Sequence, residues 1–245
     1  MSKEIAIVFG ASGFLGSHVA EALSSDGYQV RLFDCTSSDF KRSDQEMIVG
    51  DIMNLEDVTK AIQGASVVYN FAAIADIDEA NEKPLATAEV NILGNMNVLE
   101  ASRLSGVRRF IFASSVYVYS ESGSFYRASK QAAERFIETY QDRYGLDYTI
   151  LRYGSLYGRR TDGRNGIYRM LHEAIEQRSI TYKGSGEAIR EYIHVEDAAR
   201  MSVQVLAPEF ANRHLILTGQ ERMRIKDVMT MISEIMPWPV KLHFD

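Results

Sequence analysis

Short, almost unbroken apolar runs punctuate the first part of the chain: IAIVF (5–9), QVRLFD (29–34), MIVGD (47–51), VVYNFA (67–72), RFIFAS (109–114) and DYTIL (147–151). Runs without alternation suit strands buried on both faces. Between most of them lie longer stretches with apolar positions at helical spacing, clearest at 13–25, 55–63, 85–105, 126–144 and 164–177. Strands separated by helices need crossover connections, so this order predicts an α/β fold: a Rossmann-type doubly wound parallel sheet with helices on both faces. Within 85–105, Ala88, Val90, Ile92, Leu93, Met96, Leu99 and Ala101 predict one continuous helix that stops near Gly106. After residue 152 the alternation loosens, and glycines at 154, 158, 163, 166, 184 and 186 mark loops. Residues 1–154 are therefore expected to form the sheet domain and 155–245 a small C-terminal lobe. The lobe is expected to interleave with the sheet, because 196–206 and 214–218 still read as a core helix and strand.

Composition narrows the class. With 245 residues, 46% hydrophobic and 24% charged, the chain can bury one large core, or one core and a small lobe. Its formal charge of −6 offers no electrostatic excess for nucleic acid or an anionic membrane. The lone Cys35 has no intrachain partner and no metal-site spacing, so no metal is expected and a reducing cytoplasm is. Five apolar residues before Gly10 are too few for a signal-peptide core, and no run approaches the roughly 18 residues of a membrane span.

The first strand leads directly into Gly10-Ala11-Ser12-Gly13-Phe14-Leu15-Gly16 and then a helix. Glycines three residues apart allow a tight turn, close approach to a pyrophosphate and packing of helix on strand, while the helix start offers free N–H groups to the anion. Asp34 ends the second strand 18 residues after Gly16, where a carboxylate can accept both adenosine ribose hydroxyls and repel a 2′-phosphate. NAD is favoured over NADP.

With 13 tyrosines and 8 lysines, a Tyr-x-x-x-Lys spacing is expected by chance about 0.4 times, and Tyr126/Lys130 is its one occurrence. The pair opens a predicted helix, so both side chains share a face, and it follows the strand ending in Ser114-Ser115, where a doubly wound sheet binds its ligand. A lysine ammonium one turn away, with the positive nicotinamide, lowers the pKa of a tyrosine and makes Tyr126 a usable proton acceptor. A serine hydroxyl, Ser115, can hold the same substrate oxygen in line.

These segments together resemble the extended short-chain dehydrogenase/reductase family, in its NAD-dependent nucleotide-sugar epimerase/dehydratase branch. The resemblance runs through Gly10 to Gly16, Gly50-Asp51-Ile52, Asn70-Phe71-Ala72-Ala73, the Val90-Asn91 to Glu100-Ala101 helix, Ser114-Ser115-Val116-Tyr117-Val118-Tyr119, Tyr126/Lys130, Leu151-Arg152 to Tyr157-Gly158, and Arg190-Glu191-Tyr192-Ile193-His194. It implies catalysis by Ser115, Tyr126 and Lys130. It implies NAD bound by Gly10, Gly13, Phe14, Leu15, Gly16, Asp34, Asp51, Ile52, Phe71, Ala72 and Ala73 together with Tyr126 and Lys130. Ser115, Ser155 and Arg190 would hold the substrate, the arginine by pairing two diphosphate oxygens with its planar fork. It also implies a homodimer built on the helices at 85–105 and 126–144.

Several positions depart from the family pattern. Val116 and Tyr117 stand where the dehydratases carry an Asp-Glu pair, and Cys35 lies far from the cysteine of the epimerase-reductases, so both chemistries are disfavoured. Ser155 replaces an asparagine, Ser120 and Arg159 replace a glycine and a proline, and only 11 positions separate Ser115 from Tyr126, which shortens the sugar-side loop. Family members normally continue beyond Phe244-Asp245, so the chain is expected to be either truncated or provided with a minimal substrate lobe. The leading expectation is an epimerase acting at C4 of a nucleotide-sugar. A sugar dehydrogenase or 4-ketoreductase stays open, as does a dinucleotide-binding sensor without catalysis.

Overall fold

The structure, a computed structural model, describes residues 3–245. Two compact units divide the chain: the residues up to Tyr153 with Ala199–Ile216, and Gly154–Ala198 with Leu217–Asp245. In chain order come β1 (Ile5–Phe9), α1 (Phe14–Ser25), β2 (Gln29–Asp34), β3 (Glu46–Val49), α2 (Leu55–Ile62), β4 (Val67–Asn70), α3 (Ile77–Glu82) and α4 (Pro84–Ala88). A π-helical turn (Glu89–Gly94), α5 (Asn95–Leu104), β5 (Arg109–Ser115), a 3-10 turn (Val116–Tyr119), α6 (Ser124–Tyr144) and β6 (Tyr148–Tyr153) follow. The remainder holds β7 (Ser155–Tyr157), α7 (Gly166–Glu176), β8 (Ser179–Tyr182), β9 (Ile189–His194), α8 (Val195–Gln204), β10 (Arg213–Leu217), β11 (Arg222–Arg224), α9 (Ile225–Ile235) and β12 (Lys241–Phe244).

The main sheet runs β10-β6-β5-β4-β1-β2-β3, and β1 to β6 pair in parallel, with Phe9 opposite both Phe33 and Asn70. This is the doubly wound Rossmann-type architecture that the unbroken apolar runs predict. Side chains from both faces of β1 are fully buried, Ala6 and Val8 on one and Ile7 and Phe9 on the other. Ile7 and Phe9 join Val58, Leu99, Ile137, Phe110 and Phe112 in one core that α2, α5 and α6 cover. Strand order reverses between β1 and β4, so the carboxyl ends of β1, β4 and β5 flank the switch point at which such sheets bind ligands.

One predicted element is built differently. The stretch 85–105 is not a continuous α-helix but α4, the π-helical turn and α5. Two close contacts account for the change. Asn91 turns inward, accepting from the Ile74 N–H at 2.8 Å and donating to the Ile74 carbonyl at 3.0 Å and to Ser129 Oγ at 2.9 Å. Gly94 lies so close to Ile52 that a Cβ there would stand 2.5 Å from its Cδ1. A π-turn widens the helix to admit both contacts, which an apolar-periodicity count does not register.

The second unit contains strands of three to six residues, of which β7 and β11, with three each, are too short for a period-2 signal. β7 and β9 run parallel, β9 and β11 antiparallel, and β8 pairs in parallel with β12. Its own core gathers Ala174, Ile180, Ile225, Val228, Met229 and Ile232 from α7, β8 and α9. Trp238 closes this core by donating to the Ala174 carbonyl at 3.0 Å. Among the described residues no helix is long and apolar enough to cross a membrane, and no acidic, histidine and cysteine group could hold a metal ion.

Candidate active site

The glycine turn is shaped by two close approaches of backbone to backbone. Gly10 has φ +76°, and a Cβ there would lie 2.6 Å from the Ala72 nitrogen; at Gly16 it would lie 2.1 Å from the Gly10 carbonyl oxygen. Only glycine permits the turn to nestle against the β4 end and α1 to fold back over it. Gly13 is the N-cap of α1 and supplies no side-chain hydrogen bond, so the helix start at Phe14, Leu15 and Gly16 presents N–H groups that no side chain caps.

Asp34 sits at the carboxyl end of β2 and accepts from the Ser12 N–H at 2.9 Å, which fixes its carboxylate beside the turn. A glycine cradle, an uncapped helix start and an oriented carboxylate are the donor and acceptor set that an adenine dinucleotide needs, and they fit NAD.

The other sequence-predicted cofactor residues fall on the same sheet ends. Asp51 is exposed and accepts from the Met53 N–H at 2.9 Å, whereas Ile52 is 7% exposed and packs beneath the π-turn. Phe71 and Ala72 follow β4 directly; Asn70 Oδ1 accepts from the Ala72 N–H at 3.2 Å, and the Phe71 ring meets Tyr153 edge-on at 6.5 Å. Ala73 continues this half-buried segment. Asn91 anchors its far end at Ile74 and reaches Ser129 on α6, so one side chain couples the segment after β4 to the helix that carries Tyr126 and Lys130.

Ser115 ends β5, buried, and its Oγ accepts from the Tyr117 N–H at 3.2 Å to start the 3-10 turn. Tyr126 lies in the first turn of α6, and Lys130 follows one turn later on the same face. Burial pushes the Tyr126 phenol up to about 12, while a hydrogen bond from Ser115 pulls it down. Lys130 donates to the Ala113 carbonyl at 2.8 Å, and its amine lies 4.7 Å from the Phe112 ring centroid and 5.7 Å from that of Tyr126. Burial lowers the Lys130 amine to about 8, and Glu134 raises it. Ser115, Tyr126 and Lys130 thus meet at the carboxyl end of β5, where the hydrogen bond from Ser115 draws the phenol's pKa down against burial.

Ser155 and Arg190 belong to the second unit. Ser155 opens β7 opposite Tyr192 of β9, and Arg190 on β9 pairs with Met223 of β11. Tyr117, which replaces a dehydratase acid, turns its ring edge-on to Tyr126 at 6.5 Å, and no carboxylate occupies that position.

Residues 6–216 match the model of the NAD dependent epimerase/dehydratase family. The chain belongs to this family. Like other members of the NAD dependent epimerase/dehydratase family, it is an NAD-dependent enzyme of the extended short-chain dehydrogenase/reductase type. A UDP-glucose 4-epimerase of Mycolicibacterium smegmatis is 30% identical over an alignment 229 positions long that covers 82% of this chain and 73% of that protein. The Thermotoga maritima UDP-glucose 4-epimerase, solved with UDP-glucose, superposes with a TM-score of 0.92 at 25% identity, covering 98% of this chain and 85% of that one. A UDP-glucuronic acid 4-epimerase from Bacillus cereus, in complex with UDP-glucuronic acid and NAD, gives 0.90 at 25% identity over 98% and 85% of the two chains.

Two buried polar groups beside these residues are not singled out by the motifs: Glu134, which continues the four-residue spacing of Tyr126 and Lys130 on α6, and Asn91, which with Thr87 and Asn95 at four-residue intervals forms a buried polar stripe.

Proposed function

We propose that this protein is an NAD-dependent nucleotide-sugar 4-epimerase acting on a UDP-sugar. The observation that carries the reading is the grouping of Ser115, Tyr126 and Lys130 at the carboxyl end of β5, next to a turn that fits a dinucleotide. When bound, NAD supplies the acceptor and donor for the hydride of the sugar carbon. Tyr126 Oη takes the proton of the C4 hydroxyl, Ser115 orients the same oxygen, and the Lys130 ammonium favours the phenolate. After the sugar presents its other face, Tyr126 returns the proton as C4 is reduced.

Residues 1–154 are assigned to NAD and catalysis, and 155–245 mainly to the substrate, with Ser155 and Arg190 as its contacts, while Ala199–Ile216 belongs to the sheet unit. The 4-epimerase names of the relatives support this reaction class, and the non-acidic Val116 and Tyr117 speak against dehydration. We assign the active form to a homodimer through α5 and α6, and a cytoplasmic setting, in keeping with the exposed free thiol of Cys35.

Incubation with UDP-glucose, UDP-glucuronate and UDP-N-acetylglucosamine in the presence of NAD tests the reaction. Chromatography should resolve a C4 epimer from at least one of them, without net reduced nicotinamide at its absorbance band. Stoichiometric reduced cofactor would make the protein a dehydrogenase, and no conversion across the panel would make it a binding protein.

A further inference from the structure

Behind the tyrosine and lysine lies a buried polar cluster that the proposed reaction does not use. Glu134, on α6 one turn beyond Lys130, is 6% exposed. Its Oε1 accepts from Ser114 Oγ at 2.5 Å and from Arg152 Nε at 3.0 Å, and its Oε2 accepts from Arg152 Nη2 at 2.6 Å. Each partner sits on a different strand: Ser114 on β5, immediately before Ser115, and Arg152 on β6, in register with Ser114. His214 of β10 completes the surround, 2.8 Å from Arg152 Nη2 and 3.0 Å from Glu138 Oε1, and Arg152 also reaches the Tyr119 hydroxyl.

A carboxylate buried to this degree costs several kcal/mol of desolvation, and a well-packed apolar residue would hold a helix on a sheet as firmly. Its placement has a more specific consequence. The same side chain ties α6, which carries Tyr126 and Lys130, to the strand that ends in Ser115, and sets a negative charge one helical turn from the Lys130 amine.

Building on the catalytic assignment above, we infer that Glu134 is a positioning residue: it fixes the Ser115 strand against the tyrosine helix and keeps the Lys130 amine protonated during turnover. The amine lies against the Ala113 carbonyl and Phe112 ring of β5 and the Tyr126 ring of its own helix, and the Glu134 carboxylate one turn on, held by Ser114 of β5 and Arg152 of β6, is the anion that raises its proton affinity against burial. Arg152, a permanent cation, meets both oxygens of the Glu134 carboxylate and so fixes its place between α6 and β6.

The sign of the test follows. Removing the negative charge leaves burial unopposed, so Lys130 loses its proton at lower pH, and the alkaline limb of the kcat profile moves down with it. Among the described residues Lys130 is the one buried lysine, so its carbon-13 ε signal in lysine-labelled protein stands apart and is assigned by loss in Lys130→Met. In Glu134→Gln the titration midpoint of that signal should fall by roughly half a pH unit or more, and kcat by about tenfold with little change in KM.

Ser114→Ala leaves the charge in place and cuts the tie to β5; its kcat should fall while the Lys130 midpoint stays. Should Glu134→Gln fail to fold because Arg152 is left buried and unpaired, Glu134→Gln with Arg152→Met removes both charges. That double variant should move the midpoint in the same direction by less. A midpoint that does not move in the variant that folds overturns the inference, whatever happens to stability. The titration needs no substrate, so a shifted midpoint in a protein that turns over no UDP-sugar would refute the epimerase reading alone.

Discussion

Lys130 rests its amine on the Ala113 carbonyl rather than on a carboxylate, and that placement has a thermodynamic sign. Its folded value of about 8 lies below the ordinary lysine value, about 10.4. Below pH 8 both folded and unfolded chains carry the proton, and the folded state bears the whole cost of a buried cation, about 3 kcal/mol. Between 8 and the unfolded value this cost fades as the folded amine turns neutral, and above it the cost is gone. Lys130→Met should therefore raise stability by about 1–3 kcal/mol at pH 7 in urea denaturation, with the gain shrinking toward pH 10, while abolishing turnover. A variant no more stable than its parent at pH 7 would mean that the Ala113 and Phe112 contacts outweigh the burial. The Tyr126/Lys130 pair is legible in sequence because a four-residue spacing on a helix is enough to define it. The reason its lysine is costly is not legible, since burial of the amine against β5 is settled by how α6 packs, and the carboxylate that offsets the cost is placed by Ser114, Glu134 and Arg152 meeting from three elements distant in sequence.

At the scale of elements, the β1–α1 connection is where sequence and structure agree most closely, because its glycines are demanded by atoms within the turn and at the β4 end. Gly16 is the tightest case: a Cβ would stand 2.1 Å from the Gly10 carbonyl oxygen, and no flexible side chain is available there to yield. Gly16→Ala should lower the free energy of unfolding by about 2–4 kcal/mol and weaken NAD binding, as read by urea denaturation and by calorimetric titration with NAD. Unchanged affinity would show that α1 can shift without disturbing the phosphate site. The π-helical turn at Glu89–Gly94 marks the opposite case. Apolar periodicity runs straight through 85–105, and nothing local announces that Asn91 must reach both Ile74 and Ser129. The short strands of the second unit were illegible for a related reason: β7 and β11 have three residues each, too few for alternation, and their pairing with β9 defines them.

For the whole molecule the open quantity is how many chains make the working enzyme. α6 carries a stripe of Phe136, Tyr140 and Tyr144 at four-residue intervals, with Phe136 36% and Tyr144 59% exposed. Leu93 on the π-turn and Leu104 on α5 are 51% and 61% exposed, on the stretch that packs with α6. Ala133 and Ile137 of the same helix are buried in the sheet core, so α6 divides into an inward face and an outward apolar one. An outward stripe on two neighbouring helices suits a twofold contact in which each helix meets its counterpart, and a stable interface of this kind buries about 1,600 Å² in total. Sedimentation velocity at micromolar concentration should then give a dimer. Replacing Leu93 and Phe136 together by glutamate places like charges opposite one another across the twofold axis and should give a monomer with its fold intact by circular dichroism. If the parent chain already sediments as a monomer while it turns over substrate, the stripe belongs to the ordinary apolar share of a protein surface, and the site from β1 to α6 works in a single chain.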